Sequence, residues 1–175
     1  MRTIKLSFIT LCLCVFVYTY FGIFPIMGYS TTSPFYTHIT FMFIHATIFH
    51  LAINLFAFYK LYDAIEKKLG SYALWLPLVI SFLASFICEY KLPTVGSSGI
   101  VFAMAGIFFA LYILKRESYI INAIIFPIGF ILGYCTNVNI ELHFTCMVIG
   151  FLVGLLINNI QSVNRTVEGD LVQKP

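Results

Sequence analysis

The chain has 175 residues, of which 61% are hydrophobic and 10% charged, with a net charge of +3. A soluble domain carries roughly 45–50% apolar and about 25% charged residues, so this composition excludes a water-soluble enzyme, a nucleic-acid-binding module and a disordered segment. It points to an all-α integral membrane protein whose surroundings are the lipid bilayer; the positive charge is dispersed and gathers into no patch for a nucleic acid.

A hydrocarbon core takes about 20 apolar residues per helix. Six stretches read as spans: about Lys5 to Phe24, Thr40 to Glu66, Tyr72 to Cys88, Ser98 to Leu114, Tyr119 to Cys135 and Ile140 to Asn159. The first is longer than a signal-peptide core and has no small-residue cleavage site behind it, so it is expected to stay as a span. The connection from Pro25 to Ile39 holds Pro25, Gly28, Ser30 and Pro34, which suits a loop. Residues 1–160 thus form one six-span domain, and 161–175 a polar, loose tail. No inverted repeat of the transporter kind is visible, nor a ring of pore charges, which argues against a channel or transporter subunit.

Lysine and arginine set the orientation. With the N-terminus inside, Arg2, Lys5, Lys60, Lys67, Lys68, Lys115, Arg116, Arg165 and Lys174 all fall inside, and Lys91 alone falls outside. Both termini are therefore expected in the cytoplasm. Lys60 and Asp63 sit within the second stretch, three residues apart; they are expected to pair, with Lys60 snorkelling inward.

Cys12, Cys14, Cys88, Cys135 and Cys146 mostly lie in apolar runs, where a thiol acts as a small hydrophobe. Cys88 and Cys135 lie near span ends, so one disulfide stays open. No metal or other cofactor is expected. Cys12-Leu13-Cys14 is too tight for a zinc half-site. His45 and His50, read on one helix, diverge by about 140°. No His-Glu-x-x-His occurs.

Polar groups inside spans are costly and mark candidate sites. They are His45, His50, Asn54, Ser97, Ser98 and His143. His50 to Lys67 and Ser98 to Lys115 are each 17 residues, and His143 to Gln161 is 18. At about 1.5 Å per residue, all three candidates lie roughly 25–27 Å from the inner boundary, just below the outer face of a core about 30 Å thick. Three distant segments thus place polar groups on one plane.

A serine hydroxyl needs a base to become a nucleophile, and His143 is that base. Gly96 and Gly99 around Ser97-Ser98 allow a tight turn and close backbone approach. Free N–H groups at a helix start can stabilise an oxyanion. Ser98, His50 and Asn54 are the candidate donors. Glu141 precedes His143 by two residues and points elsewhere, so a Ser–His dyad is favoured over a triad. Ala105 and Gly106 beneath Ser98, and Gly150 and Gly154 beneath His143, let the fourth and sixth spans touch. Plainer roles stand beside these: Ser98 as a helix cap, His143 as a core histidine bonded to a carbonyl, and His50 and Asn54 as loop ties. His45 is read as structural, bonding the first outer loop. His38 is read as an interfacial loop residue, Ser97 as filler whose amide could help the oxyanion site, and Glu66 as a local partner of inner-loop groups.

From about Tyr36 to Ile157 the chain resembles the rhomboid family of intramembrane serine proteases. The resemblance rests on His50-Leu-Ala-Ile-Asn54, on Phe41-Met-Phe-Ile-His45 before it, and on Glu66-Lys-Lys-Leu-Gly70 at its inner end. Gly96-Ser-Ser-Gly99 and His143 ahead of spaced glycines complete it. It implies a six-transmembrane-helix bundle, Ser98 as nucleophile and His143 as base. It also implies a serine endopeptidase that cuts single-span membrane proteins near the outer end of their span. The alternative is a catalytically silent rhomboid-like protein that binds membrane-protein clients. The sequence departs from the family at Tyr36-Thr37, where Trp-Arg is common. It departs at Phe102, which keeps an aromatic ring but lacks the usual tyrosine hydroxyl. It also departs at Cys146, larger than the usual glycine and expected to loosen the fourth and sixth spans. A bare six-span chain is expected in a bacterial plasma membrane.

Overall fold

A computed structural model describes residues 2–22, 28–88, 92–113 and 139–172. Their regular elements are helices, with one isolated antiparallel bridge between Tyr29 and Thr94. Helix α1 spans Arg2–Tyr20. A short α2, Thr37–Thr40, runs into a 3₁₀ turn at Phe41–Phe43. Then follow α3 (Ile48–Leu69), α4 (Tyr72–Ala84) and α5 (Ser98–Phe108), the last continued by a π turn at Phe109–Ile113. Helix α6 spans Ile140–Val172.

Among the described residues, three helices are long and apolar enough to cross a membrane: Thr3–Tyr20 of α1, Ile48–Leu69 and Ile140–Val163 of α6. Tyr72–Ala84 and Ser98–Tyr112 are apolar but shorter. The expected fifth span, Tyr119 to Cys135, lies outside the described residues. Their outward faces are oily: Leu6, Ile53, Leu83 and Leu156 are each more than half exposed. Water would penalise such a surface, whereas hydrocarbon solvates it while the helices satisfy their own backbone groups.

Several boundaries differ from the sequence reading. The second span was expected from Thr40, but its helix begins at Ile48. Thr47 is extended, at φ −143° and ψ 159°, and its hydroxyl accepts the His50 amide at 3.1 Å. That is a threonine N-cap, and it starts the helix there. His45 therefore precedes the helix instead of riding on it. Its ring meets that of His50 edge-on, with centroids 5.2 Å apart, so the divergence computed for one shared helix does not apply. At the other end of the chain α6 continues past Asn159 to Val172, so a helix replaces the first part of the expected loose tail.

The expected Lys60–Asp63 pair is also replaced. Asp63 Oδ1 lies 2.5 Å from Lys5 Nζ, joining α3 to α1. Lys5 is buried, and its ammonium also lies 4.0 Å from the Tyr59 ring centre. Lys60 is exposed and sits over Phe56 at 5.7 Å. A withdrawn ammonium requires a counter-charge, and Asp63 is the one within reach of Lys5.

Helix α5 is the axis of the packing. All its residues are buried, and it contacts α3, α4 and α6. Its seam with α6 is backbone against backbone. A Cβ on Gly106 would overlap the Met147 carbonyl and come within 2.6 Å of the Phe151 nitrogen. A Cβ on Gly150 would overlap the Ala103 carbonyl. One on Gly154 would come within 2.7 Å of the Ala110 methyl. Gly106, Gly150 and Gly154 thus do what small residues do between membrane helices. Ala105 is buried but off this seam, which runs along Ala103, Gly106, Ile107 and Ala110; two residues from Ala103 is about 200° around the helix.

Candidate active site

Ser98 is the first residue of α5. The chain reaches it through Gly96, whose φ of +121° suits glycine alone. The Gly96 amide donates to the Phe41 carbonyl at 2.8 Å. His143 stands one turn into α6, which is capped by Asn139: the Leu142 amide donates to Asn139 Oδ1 at 3.0 Å. These two helix starts bring Ser98 Oγ within 2.7 Å of His143 Nε2, across 45 residues of sequence. Phe102 lies flat against the His143 ring, with centroids 4.4 Å apart and planes 14° apart. The Phe102 ring therefore packs on the imidazole. Both members are largely withdrawn from solvent, Ser98 at 9% and His143 at 6% exposure. When the hydroxyl donates to Nε2, the neutral ring carries its proton on Nδ1.

His50 and Asn54 occupy different places beside this pair. A Cβ on Gly96 would lie 2.8 Å from His50 Nε2 and 3.7 Å from Ser98 Oγ, so the His50 ring and the Ser98 hydroxyl flank the same glycine. Asn54 is buried, and its Nδ2 donates to the His50 carbonyl at 2.9 Å. That bond commits one amide hydrogen within α3 and leaves the second.

Ser97 is not filler. It is fully buried, and its amide donates to His45 Nε2 at 3.3 Å; its hydroxyl lies 3.1 Å from the same nitrogen. His45 Nδ1 faces the Phe43 carbonyl at 3.3 Å. A carbonyl only accepts, so Nδ1 carries the hydrogen and Nε2 is the acceptor. His45 therefore ties the turn before α3 to the turn before α5, where the first outer loop was the expected partner.

His38 is likewise more than an interfacial loop residue. Its Nδ1 lies 2.8 Å from the Ser85 hydroxyl, and its ring stacks on Phe86 at 4.2 Å and on Tyr29 at 5.3 Å. Withdrawal from water holds this imidazole below its ordinary pKa.

Cys146 does not part α5 from α6. Its sulfur lies 3.5 Å from where a Gly99 Cβ would be, an ordinary contact distance, and the atom such a Cβ would overlap is Ser81 Oγ on α4, so the thiol fits beside α5 without crowding it. Cys88 is a free thiol, 3.4 Å from the Thr145 hydroxyl. Cys135 lies outside the described residues.

Sequence reasoning missed Asn139, Tyr29 and Thr94, which join the segment leading into α5 to the start of α6. An available signal was Asn139 immediately before an apolar periodic run, a helix-start pattern.

The Gly96 geometry gives a direct expectation. Gly96→Ala combines an unfavourable positive φ with a methyl against the His50 ring. It should slow covalent labelling of Ser98 by a serine-directed probe at least about tenfold, a cost of about 1.4 kcal/mol or more at the barrier. Labelling at the wild-type rate would show that the turn tolerates a side chain.

The Rhomboid domain family model matches residues 32–162 of the chain. No curated protein matches it.

Proposed function

Because the chain belongs to the rhomboid family, an integral membrane family, we propose that it is an intramembrane serine endopeptidase working through a Ser98–His143 dyad. Its substrates are single-span membrane proteins cut near the outer end of their span. Six spans with both termini in the cytoplasm, in a bacterial plasma membrane, complete the reading. The observation that carries it is the 2.7 Å approach of Ser98 Oγ to His143 Nε2.

The chemistry follows from that contact. His143 takes the hydroxyl proton as Ser98 Oγ adds to the scissile carbonyl. The negative charge that develops on the carbonyl oxygen is met by the Ser98 amide at the α5 start and by the His50 ring beside Gly96; Asn54 offers its remaining amide hydrogen. The tetrahedral adduct then expels the amine, which receives the proton from His143. Water attacks the resulting ester, again losing a proton to His143, and Ser98 is released. The substrate helix has to unwind to present a carbonyl at all, so small or helix-breaking residues are expected at the cut.

A fluorophosphonate probe tests the reading, since it reacts only with an activated serine. The full-length protein in detergent should be labelled, and both Ser98→Ala and His143→Ala should lose the label. Label retained in Ser98→Ala would place the nucleophile elsewhere. A wild type as inert as its variants, toward the probe and several transmembrane reporters, would leave the client-binding role in place of the peptidase.

A further inference from the structure

The glycine seam fixes the distance between α5 and α6 well below the reacting pair. Gly106 is eight residues beyond Ser98, and Gly150 seven beyond His143. At about 1.5 Å per residue, that is roughly 10–12 Å. Two helices joined at such a point can still pivot, and a small pivot moves the outer ends apart. A second tie at the outer end would stop this, and Asn139 is placed to supply it.

Asn139 is 2% exposed, and both polar atoms of its side chain are engaged. Oδ1 caps α6 by accepting the Leu142 amide at 3.0 Å. Nδ2 donates to the Tyr29 hydroxyl at 2.9 Å and to the Thr94 hydroxyl at 3.3 Å. The Asn139 carbonyl accepts the His143 amide at 3.3 Å, so the same residue holds the histidine's own turn. Tyr29 and Thr94 are themselves paired by two backbone hydrogen bonds, of 3.1 and 2.8 Å. Thr94 stands four residues before Ser98, and Gly96 between them is anchored to Phe41. The Tyr29 ring is fixed by Phe41 and His38, with centroids 4.7 and 5.3 Å away. One buried side chain therefore links the segment leading into Ser98 to the turn that carries His143.

We propose that Asn139 is the positioning residue of the dyad, setting the Ser98–His143 separation from the outer end of the bundle. This deepens the peptidase reading and rests on it for its catalytic consequence, while the geometric claim stands on the bonds above.

Asn139→Ser separates the two jobs of the side chain. Serine caps a helix as well as asparagine does but is too short to reach Tyr29 and Thr94. Thr94→Val removes one partner while keeping the backbone bridge. The direct readout is the ¹⁵N shift of the His143 imidazole in histidine-labelled full-length protein, identified by its loss in His143→Ala. Asn139→Ser should move that shift toward its value in Ser98→Ala, and Thr94→Val should move it less in the same direction. Reporter cleavage should fall by up to about 10²-fold in kcat, the scale of a misplacement near 1 Å, with KM little changed. An unmoved imidazole shift in both variants would overturn the proposal whatever the activity. A moved shift in a protein whose wild type neither cleaves nor labels would retain the positioning role and overturn the peptidase reading alone.

Discussion

Ser98→Ala and His143→Ala should each lower cleavage of a transmembrane reporter by about 10⁴-fold or more, and the double variant should be no slower than either single one. The reason is that the two side chains act as a unit. Without His143 the Ser98 hydroxyl keeps its proton, and without Ser98 the imidazole has nothing to activate. The 2.7 Å contact is the physical form of that dependence. Any residual rate then comes from carbonyl polarisation by the helix-start amide and the His50 ring, which neither substitution removes. Adding His50→Ala to the double variant should therefore lower the residue of activity further, by roughly 10²–10³ if the ring serves the oxyanion. The checking measurement is initial cleavage rate against enzyme concentration for all variants, with folding verified by circular dichroism. Losses that multiply in the Ser98/His143 double variant would mean independent roles, and the dyad would have to be abandoned.

The proximity of Ser98 and His143 was legible in the sequence because helix rise is nearly constant. Counting residues to each inner boundary put both on one plane, and coplanar polar groups in hydrocarbon have reason to meet. Other features depended on which element a side chain faces, and a count along one helix does not give that. Asp63 has Lys60 three residues away, yet it bonds Lys5 of α1, since burial makes Lys5 the cation that needs a partner. Ala105 and Gly106 looked equally suited to the seam, but only the second lies in register with Ala103 and Ala110 against α6. His45 was assigned to a helix because apolar residues run on through Phe41 and Ile44. Thr47 held the contrary signal, a hydroxyl able to cap. Asn139 fell at a loop boundary and so received no role, although a cap with an amide nitrogen to spare can reach across to another segment. Family membership and the all-helical character were readable. The fine ties among the segments ahead of α5 and α6 were not.

Replacing Gly150 should be as damaging as removing a reacting group, although it touches neither of them. Glycine in a helix interior ordinarily weakens it by roughly 0.5–1 kcal/mol relative to alanine, so Gly150→Ala judged on α6 alone would stabilise the protein. The seam reverses the sign. The new methyl would overlap the Ala103 carbonyl oxygen and come within 3.0 Å of its carbon, and a backbone carbonyl cannot rotate away as a flexible side chain would. The two helices have to separate, and α5 has little freedom because it is buried on every side. We expect Gly150→Ala to cost about 3 kcal/mol or more, at the upper end of overpacking penalties, and Gly150→Val to leave no stably folded protein. Gly154→Ala should cost less, because its closest approach is 2.7 Å, to the Ala110 methyl, and the Ile107 backbone comes no nearer than 3.0 Å. Ala105→Gly, off the seam, should cost only about 1 kcal/mol, through helix propensity. Unfolding in mixed micelles gives this order, and fluorophosphonate labelling of the surviving folded fraction shows whether separation at the seam reaches Ser98 and His143. Helices forced apart at Gly150 should carry His143 away from Ser98, so labelling falls even among folded molecules. A Gly150→Ala protein as stable and as readily labelled as the wild type would mean that the α5–α6 backbones are not in contact, and the close approach on which the dyad depends would need another cause.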